Sequence, residues 1–302
     1  MSEGLWFWEE FTDSLLYGYK VEEYIYSGRS KFQQIDILKL GVFGKTLFLD
    51  KKVQSAQIDE VVFHESLVTP SIITHGEPES VLIIGGGEGA TLREALKAKT
   101  VKRAVMVDID GELVELCKKY MGEWSQGAFE DPRTEVIIDD AYEFLHKTKE
   151  KFDVIISDLT EPLEGGPSIK LFTREYFQTI FEHLNEGGVL AVQSGSADPY
   201  YNQFFTSLTV TLKEVFNVVR PYWAFVFSLN MPWGFNLASK MTDPLELKED
   251  EVIRRMNFLG LEGLRYLNPG LFTSFFYLPE YIKAAQEKAT VISESSPFIW
   301  KE

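Results

Sequence analysis

The sequence predicts an α/β protein with a doubly wound, mostly parallel sheet and a small N-terminal β-domain. From residue 80 onward, short apolar runs alternate with amphipathic helical segments, which is typical of parallel strands joined by helical crossovers. Before that point, short aromatic and β-branched runs are separated by glycine, which favours antiparallel strands. We therefore expect two domains, residues 1–75 and 76–302.

Each expected element follows from a local pattern. The N-terminal strands are predicted from YGYKVEEYIYSG, FQQIDILKL, KTLFLD and KVQSA, and a helix follows over about residues 59 to 73. The strands of the α/β part are SVLII, RAVMVDI, TEVIID, FDVIISD and GGVLAVQS, closed by NVVRPYWAFVF and GFNLASK. Its helices are GEGATLREALKA, GELVELCKKYM, AYEFLHKT, TREYFQTIFEHL, QFFTSLTVTLKEVF, KEDEVIRRMN and LPEYIKAAQEK.

Composition excludes several classes of protein. The 302 residues carry 30 Lys and Arg against 46 Asp and Glu, a net charge of −16. Nucleic acid selects basic proteins, so we expect no nucleic-acid partner. The acidity either attracts a cationic partner or only maintains solubility. No apolar run approaches the ~18 residues of a membrane span. The single Cys117, expected in a helix core, and the acidic N-terminus predict a soluble cytoplasmic protein.

A glycine-rich turn follows the first strand of the α/β part. Gly85, Gly87 and Ala90 fit the pattern G-x-G-x-x-[G/A] between a strand and a helix. Glycines let a ligand approach the backbone closely. Asp108 ends the next strand, where an acid would bind ribose hydroxyls. The alternative is a plain glycine turn, but the combination favours a nucleoside site.

The carboxylate of Glu88 inside this turn narrows the choice of nucleoside. Dinucleotide cofactors place a pyrophosphate at such a helix N-terminus, and a carboxylate would repel it at close range. A sulfonium nucleoside with an ammonium arm fits the charge better. The alternative for Glu88 is a solvated acid that complements the helix dipole.

Further acids follow the later strands. Of Asp139 and Asp140, one is expected to cap the next helix, and the other could receive the amino group of an adenine. Asp158 and Glu161 follow the fourth strand, at the sheet edge where ligands bind in such folds. Acids gathered there repel one another unless a cation is present. The histidines show no metal-ligand spacing, so we expect a polyamine and no metal. Turn and cap acids are the alternative.

These groups are sufficient for a displacement reaction. A sulfonium activates its adjacent methylene carbons, and an amine attacks only when it is unprotonated. One carboxylate could accept the proton of the amine while a second acid holds a distal ammonium group. Orientation and electrostatics would then supply most of the rate gain.

As a set, the motifs resemble the polyamine aminopropyltransferases, the family of spermidine, spermine and thermospermine synthases. The resemblance covers nearly the whole chain through SGRSKFQQIDI, LFLDKKVQSAQIDEVVFHE, VLIIGGGEGATLREALK, VDIDGELVE, QGAFEDPR, FDVIISDLTEP and GVLAVQSG. It implies a Rossmann-like fold of the methyltransferase type. It also implies decarboxylated S-adenosylmethionine as co-substrate, no separate cofactor, and methylthioadenosine as by-product.

The motifs and the resemblance together imply a set of site residues. The donor would be bound by Gln33, Leu49, Gly85, Gly87, Glu88, Asp108, Ile109, Asp140 and Ala141. The acceptor would be flanked by His64, Asp158, Glu161 and Gln193, with Asp158 as general base or orienting acid. A loop from about residue 160 to 172 would close over the substrates. Trp233 is a further candidate for the acceptor site, because aromatic faces bind ammonium groups. The alternative is that Trp233 only packs in the core.

Three departures from the family pattern fall in the acceptor half. Phe63 and Ser228 stand where putrescine-using members have tyrosine, and Glu161 replaces the usual aspartate. The forms GGGEGAT and DLTEP resemble the branch that makes thermospermine or aminopropylates agmatine. We therefore expect agmatine, spermidine or a longer diamine as acceptor rather than putrescine.

Rival functions remain at this point. An S-adenosylmethionine-dependent methyltransferase uses the same kind of sheet, but Glu88 would disfavour its carboxylated donor by like charge. A nicotinamide oxidoreductase would need a glycine turn that binds a pyrophosphate, which the Glu88 carboxylate would repel. A non-catalytic polyamine sensor would need no base. The aromatic cluster Trp6, Phe7, Trp8 and Phe11 either covers the N-terminal sheet or makes oligomer contacts, and we expect a homodimer or homotetramer.

Overall fold

The computed structural model describes residues 4–12 and 14–300. Of the two expected domains, positions 1–3, 13 and 301–302 lie outside the described residues. The N-terminal part is a five-stranded sheet with strand order β1-β2-β3-β4-β5, and all of its pairings are antiparallel. Its strands are β1 Leu5–Thr12, β2 Leu15–Arg29, β3 Gln34–Leu40, β4 Gly44–Leu49 and β5 Lys52–Ala56.

The second sheet has seven strands in the order β11-β12-β10-β9-β6-β7-β8. The pairings from β10 to β8 are parallel, while β12 and β11 add antiparallel edge strands. The strands are β6 Ser80–Gly85, β7 Arg103–Asp108, β8 Thr134–Ile138, β9 Phe152–Asp158, β10 Leu184–Ser196, β11 Val218–Val226 and β12 Met231–Ser239. The predicted doubly wound, mostly parallel sheet with an N-terminal β-domain is confirmed.

Helices cover both faces of this sheet. They are α1 Glu60–His75, α2 Ala90–Leu96, α3 Gly111–Tyr120, α4 Gly122–Ser125, α5 Ala141–Lys147, α6 Arg174–Glu182, α7 Gln203–Lys213, α8 Glu249–Leu259, α9 Pro269–Phe275 and α10 Glu280–Gln286. Alternate residues of β6 face opposite layers: Val81 and Ile83 pack with α1 and α2, whereas Leu82 and Ile84 pack with α5 to α7. Burial on both faces explains why β6 is a continuous apolar run.

The chain order creates a crevice at the carboxyl ends of the strands. From β6 the chain first builds β7 and β8 on one side and then β9 and β10 on the other. Neighbouring crossovers therefore diverge between β6 and β9, which is where open α/β sheets bind ligands. Gly85 at the end of β6 pairs with Asp158 at the end of β9. The fold thus brings the glycine turn and the acid of the fourth α/β strand together.

Helix α1 was expected to end the N-terminal domain, but it packs on the larger sheet. Its buried side chains, including Leu67 and Ile72, share one core cluster with Val81 and Ile83 of β6. By packing, α1 belongs with the larger sheet, because its apolar surface is covered there. This packing favours a division between Ala56 and Glu60.

The N-terminal aromatic cluster divides between two environments. The Phe7 ring packs on Phe48 with centroids 4.5 Å apart, so Phe7 covers the N-terminal sheet. Trp6 stacks on Trp8 at 6.0 Å, and Trp8 stays 53% exposed. Cys117 is buried, in agreement with its predicted place in a helix core. Within the part of the chain that the structure describes, no helix is long and apolar enough to cross a membrane.

Candidate active site

A cavity of about 1080 Å³ lies between the carboxyl edge of the large sheet and the N-terminal sheet. Of the predicted site residues, all but His64 line it: Gln33, Leu49, Gly85, Gly87, Glu88, Asp108, Ile109, Asp140, Ala141, Asp158, Glu161, Gln193 and Trp233. The residues expected from strand ends and those implied by the family resemblance thus line the same cavity.

The glycine turn brings the backbone against two acids. Gly85 has φ +81°, and a Cβ added there would lie 2.2 Å from the backbone oxygen of Asp158. A Cβ on Gly87 would lie 2.9 Å from Asp108 Oδ2. Glycine is therefore required at position 85, where the clash is with backbone and φ is positive, whereas a side chain at position 87 would displace the Asp108 carboxylate.

At one end of the cavity, Asp108 and Gln33 are held by α3. Asp108 Oδ1 accepts the Asp110 N–H at 2.8 Å, and burial raises the pKa of Asp108 to about 6. Asp110 caps α3 and accepts hydrogen bonds from Gln33 Nε2 at 2.9 Å and from Ser30 Oγ at 2.6 Å. Asp110 thus links the N-terminal sheet to the large sheet at this end.

Asp140 both caps α5 and lines the cavity. Its Oδ1 accepts the Tyr142 N–H at 2.8 Å, and its Oδ2 lies 3.1 Å from Lys170 Nζ. Asp139 instead points away from the cavity toward Lys147, 3.7 Å away. The sequence suggested that capping and ligand contact are divided between the two acids, whereas the structure combines cap and cavity wall in Asp140.

Asp158 lies on the cavity wall at the end of β9. Thr91 Oγ1 donates a hydrogen bond to Asp158 Oδ2 at 2.5 Å. Burial and the negative charge of Glu88 raise the pKa of Asp158 to about 7. A carboxylate with such a pKa exchanges protons readily near neutral pH, which suits a general base. Thr91 was not singled out in the sequence, because its contact forms only when α2 packs on the end of β9.

Glu88 forms the adjacent wall, and His64 lies behind it. His64 Nε2 is 2.8 Å from Glu88 Oε1, and the His64 side chain is 1% exposed. Burial tends to raise the pKa of Glu88, but the hydrogen bond and charge of His64 lower it below the ordinary value. His64 does not line the cavity, although it was expected to flank the acceptor. His64 therefore acts on the cavity through its contact with Glu88 and through its charge, which tends to lower the pKa of Asp158.

His64, Glu88 and Asp158 each offer one nitrogen or oxygen atom that could bind a metal ion. These three atoms lie within 4.8 Å of one another, a spacing that a metal ion could bridge. Both nitrogens of His64, however, already face oxygen acceptors on Glu60 and Glu88. The ring has no free lone pair for a cation, so the cluster fits a network of ion pairs.

At the other end of the cavity, Gln193 holds Trp233. Gln193 Oε1 accepts the indole N–H of Trp233 at 3.1 Å, and its amide donates to the Leu159 carbonyl. The Trp233 side chain is thus oriented as part of the wall. Burial raises the pKa of Glu161, close to this end, to about 7.

This end of the cavity also contains residues that the sequence did not reveal. Glu9 lines the cavity from β1, where its carboxylate accepts the Tyr19 O–H at 2.6 Å and the Val53 N–H at 3.0 Å. Aromatic and apolar side chains complete this wall: Phe11, Tyr17, Leu229, Met231 and Trp300. No short motif marks them, because they converge only through the packing of the two sheets and the C-terminal segment.

Phe63 and Ser228 are the two residues expected to stand in place of a family tyrosine, and of these only Phe63 lines the cavity. Ser228 is 1% exposed, and its backbone N–H donates to Asp59 Oδ2 at 2.7 Å. Leu229 and Met231, from the turn after Ser228, face the cavity instead. This part of the cavity wall is apolar because the side chains of Leu229 and Met231, rather than that of Ser228, face the cavity.

The loop predicted to close over the substrates borders the cavity from Thr160 to Ser168. The C-terminal tail contacts this loop, since the Trp300 N–H donates to the Pro162 carbonyl at 2.9 Å. Trp300 packs near Tyr201, with ring centroids 6.2 Å apart. The loop and Trp300 of the tail therefore form adjoining parts of the cavity wall.

A glycine turn and a set of buried carboxylates on a doubly wound sheet define an α/β nucleoside-binding enzyme with a cationic substrate. Comparison with known proteins identifies the family. The spermine/spermidine synthase domain matches residues 60–249, and the spermidine synthase tetramerisation domain matches residues 5–57.

Individual relatives agree over nearly the full length. The polyamine aminopropyltransferase of Aeropyrum pernix is 38% identical, over 97% of this chain and 95% of the relative. Polyamine aminopropyltransferase 2 of Pseudomonas aeruginosa is 38% identical, over 94% of this chain and 82% of the relative. A crystal structure of spermidine synthase in complex with the transition state analogue AdoDATO superposes with a TM-score of 0.88 at 34% identity, covering 95% and 96% of the two chains.

The chain therefore belongs to the spermine/spermidine synthase family. It is a polyamine aminopropyltransferase, a transferase of alkyl groups other than methyl. The resemblance stated from the sequence motifs is confirmed.

Proposed function

We propose that the protein transfers the aminopropyl group of decarboxylated S-adenosylmethionine to agmatine, spermidine or a longer diamine and releases methylthioadenosine. The observation that carries this proposal is the placement of Asp158 and Glu88 side by side on the cavity wall, next to the glycine turn. No separate cofactor and no metal enter the proposed reaction.

The reaction is a displacement at carbon. The acceptor nitrogen attacks the aminopropyl methylene carbon that is bonded to the sulfonium. The new C–N bond forms, and the bond between this carbon and sulfur breaks. Its electron pair stays on sulfur, so the leaving group is the neutral thioether methylthioadenosine. Asp158 accepts the proton that the attacking amine loses, either before or during attack. The carboxylates also stabilise the cationic substrates while the cavity orients them.

The donor would occupy the half of the cavity beside the glycine turn. We assign Asp108 to the ribose hydroxyls, and Asp140 with Ala141 to the adenine. Gln33, Leu49 and Ile109 would complete this wall. Glu88 would bind the ammonium end of the aminopropyl arm, because its lowered pKa supports a carboxylate at working pH.

The acceptor would occupy the half formed by both sheets. Glu161 and Glu9 offer carboxylates for its distal cationic end, and Trp233 offers an aromatic face for an ammonium group. Phe63 and Met231 make the rest of this wall apolar. A cavity of this size, with a wall that is largely apolar apart from these two carboxylates, supports a long or bulky acceptor rather than the short diamine putrescine. His64 is assigned a role through Glu88 and not as a direct acceptor contact.

We expect agmatine or spermidine to be used with a higher kcat/KM than putrescine. Kinetics of methylthioadenosine release with each single amine, followed by an equimolar mixture, would measure the preference. Phe63→Tyr restores a hydroxyl at the cavity wall and is expected to shift the ratio toward putrescine. A wild-type preference for putrescine would overturn this assignment and leave the transferase activity standing.

The pH dependence of the reaction should follow Asp158. Its pKa is raised to about 7, so the base is protonated and idle below neutral pH in the free enzyme. We expect kcat/KM for the donor to fall as the pH drops through this value. Cationic substrates favour the carboxylate, so the corresponding fall in kcat should occur at lower pH. A kcat that falls at higher pH than kcat/KM would contradict Asp158 as the base.

We also propose that the protein acts in the cytoplasm as a homodimer or homotetramer. Trp8 and Leu16 lie on one face of the β1–β2 pair and are 53% and 51% exposed. Such an apolar surface on the N-terminal sheet supports an interface between copies of the chain.

A further inference from the structure

Behind the cavity wall, a buried series of charged side chains begins at Glu88. His64 Nε2 lies 2.8 Å from Glu88 Oε1. On the other side of the ring, His64 Nδ1 lies 2.6 Å from the Glu60 backbone oxygen and 3.1 Å from Glu60 Oε2. His64 therefore bridges two carboxylates, one on the cavity wall and one inside the protein.

These contacts define the protonation of His64. A backbone oxygen only accepts hydrogen bonds, so Nδ1 must carry a hydrogen. Nε2 faces a carboxylate oxygen and carries the second hydrogen, which makes the ring an imidazolium. Burial alone would lower the pKa of His64, but the hydrogen bonds to Glu60 and Glu88 outweigh it and raise this pKa to about 10.

Glu60 is itself held by two guanidinium groups. Arg93 Nη2 of α2 lies 2.8 Å from Glu60 Oε2, and Arg265 Nη2 lies 2.9 Å from Glu60 Oε1. Arg265 belongs to a C-terminal segment whose backbone is anchored on Glu65, which accepts the N–H groups of residues 265 to 267. Both oxygens of Glu60 are thus fixed, and the carboxylate cannot turn away from His64.

The charged groups near His64 come from several elements. Glu60 faces it from α1, Glu88 from the glycine turn and Asp158 from the end of β9, and each carries negative charge when ionised. Arg93 and Arg265 are positive and contact Glu60. The imidazolium and the guanidiniums thus balance carboxylates that would otherwise repel one another in a buried site.

We propose that Glu60 is a positioning residue of the donor site: it holds the protonated ring of His64 so that Nε2–H fixes the Glu88 carboxylate toward the cavity. The inference rests on the proposed role of Glu88 as the partner of the donor ammonium. If His64 were neutral with its hydrogen on Nδ1, its Nε2 lone pair would face the carboxylate of Glu88. Glu88 would then turn away, and the donor would lose an ionic contact.

The test compares two ligands that differ in the group that Glu88 would bind. Decarboxylated S-adenosylmethionine carries the aminopropyl ammonium and the sulfonium, whereas methylthioadenosine lacks both. Dissociation constants for both ligands would be measured by calorimetry at about pH 6 and about pH 9, below and above the ordinary pKa of histidine. The ratio of the two constants is the donor preference.

In Glu60→Gln, His64 loses an anionic partner but stays buried, so its pKa falls. At about pH 9 the donor preference should drop about tenfold or more relative to wild type, the loss expected for one charged hydrogen bond. At about pH 6 the ring is still protonated, and most of the preference should remain. Methylthioadenosine binding should stay at the wild-type level at both pH values, which also reports that the variant is folded.

Glu94→Gln is the matched control. Glu94 is buried beside the same guanidinium, 2.9 Å from Arg93, but does not contact His64. A general loss of packing or charge would affect both variants, whereas only Glu60→Gln should show a pH-dependent loss of preference.

The outcomes separate the inference from the proposed function. If wild-type protein shows no preference for the cationic donor, the proposed role of Glu88 fails. If wild type shows it and Glu60→Gln keeps it at both pH values, the positioning role of Glu60 is overturned. If Glu60→Gln does not bind methylthioadenosine at all, Arg265→Gln decides. This variant removes a more exposed contact of Glu60 and should weaken the preference, and a wild-type preference in it would contradict the inference.

Discussion

Replacing Asp158 with asparagine is expected to lower kcat by about 10²- to 10⁴-fold, the usual contribution of a positioned general base. The asparagine side chain has nearly the same volume, and its oxygen can still accept the hydrogen bond of Thr91. It cannot accept the proton of the attacking amine. Steady-state release of methylthioadenosine at saturating donor and acceptor would measure the loss.

Asp153→Asn is the control for this variant. Asp153 lies at the other end of the same strand, where it accepts the N–H groups of Glu79 and Ser80 at 2.8 and 2.9 Å. This change should affect stability and leave kcat close to wild type. A kcat near the wild-type value in Asp158→Asn would remove Asp158 from the mechanism.

Glu88→Gln is expected to weaken donor binding by about 10- to 100-fold, because one charged hydrogen bond to the ammonium group is lost. The affinity for methylthioadenosine should not change, since this product lacks the ammonium. The negative charge of Glu88 also raises the pKa of Asp158. Its removal should therefore move the acidic fall of kcat/KM to lower pH.

Titration of both ligands and the pH profile of kcat/KM would test this variant. Glu112→Gln, on the exposed side of α3, removes the same charge away from the cavity and should change neither affinity. Equal losses of affinity for the donor and for methylthioadenosine in Glu88→Gln would mean that Glu88 shapes the nucleoside site generally and does not bind the ammonium.

Much of the site could be predicted because its chemistry follows strand ends. A strand that ends in Gly85 or Asp158 places its last residue at one edge of the sheet, whatever the rest of the chain does. Local patterns of apolar residues were likewise sufficient for most of the strands and helices, but the N-terminal strand Leu5–Thr12 was not predicted. The short helices Gly122–Ser125 and Pro269–Phe275 were not predicted either.

The remaining site features depend on tertiary packing. Glu60 and Arg265 are 205 residues apart in the sequence, and no local pattern connects them. The family resemblance indicated that His64 belongs to the site, but only packing shows that its ring is buried behind Glu88. The resemblance placed Ser228 in the acceptor half, whereas the course of the chain presents Leu229 and Met231 to the cavity instead.

Incubation of the wild-type enzyme with decarboxylated S-adenosylmethionine, with and without spermidine or agmatine, tests the central claim most directly. Mass spectrometry would quantify methylthioadenosine and the amine product together. We expect equal amounts of methylthioadenosine and of an acceptor heavier by one aminopropyl group, formed only when the amine is present. Donor binding without either product, or methylation of the amine from S-adenosylmethionine instead, would contradict aminopropyl transfer at this site.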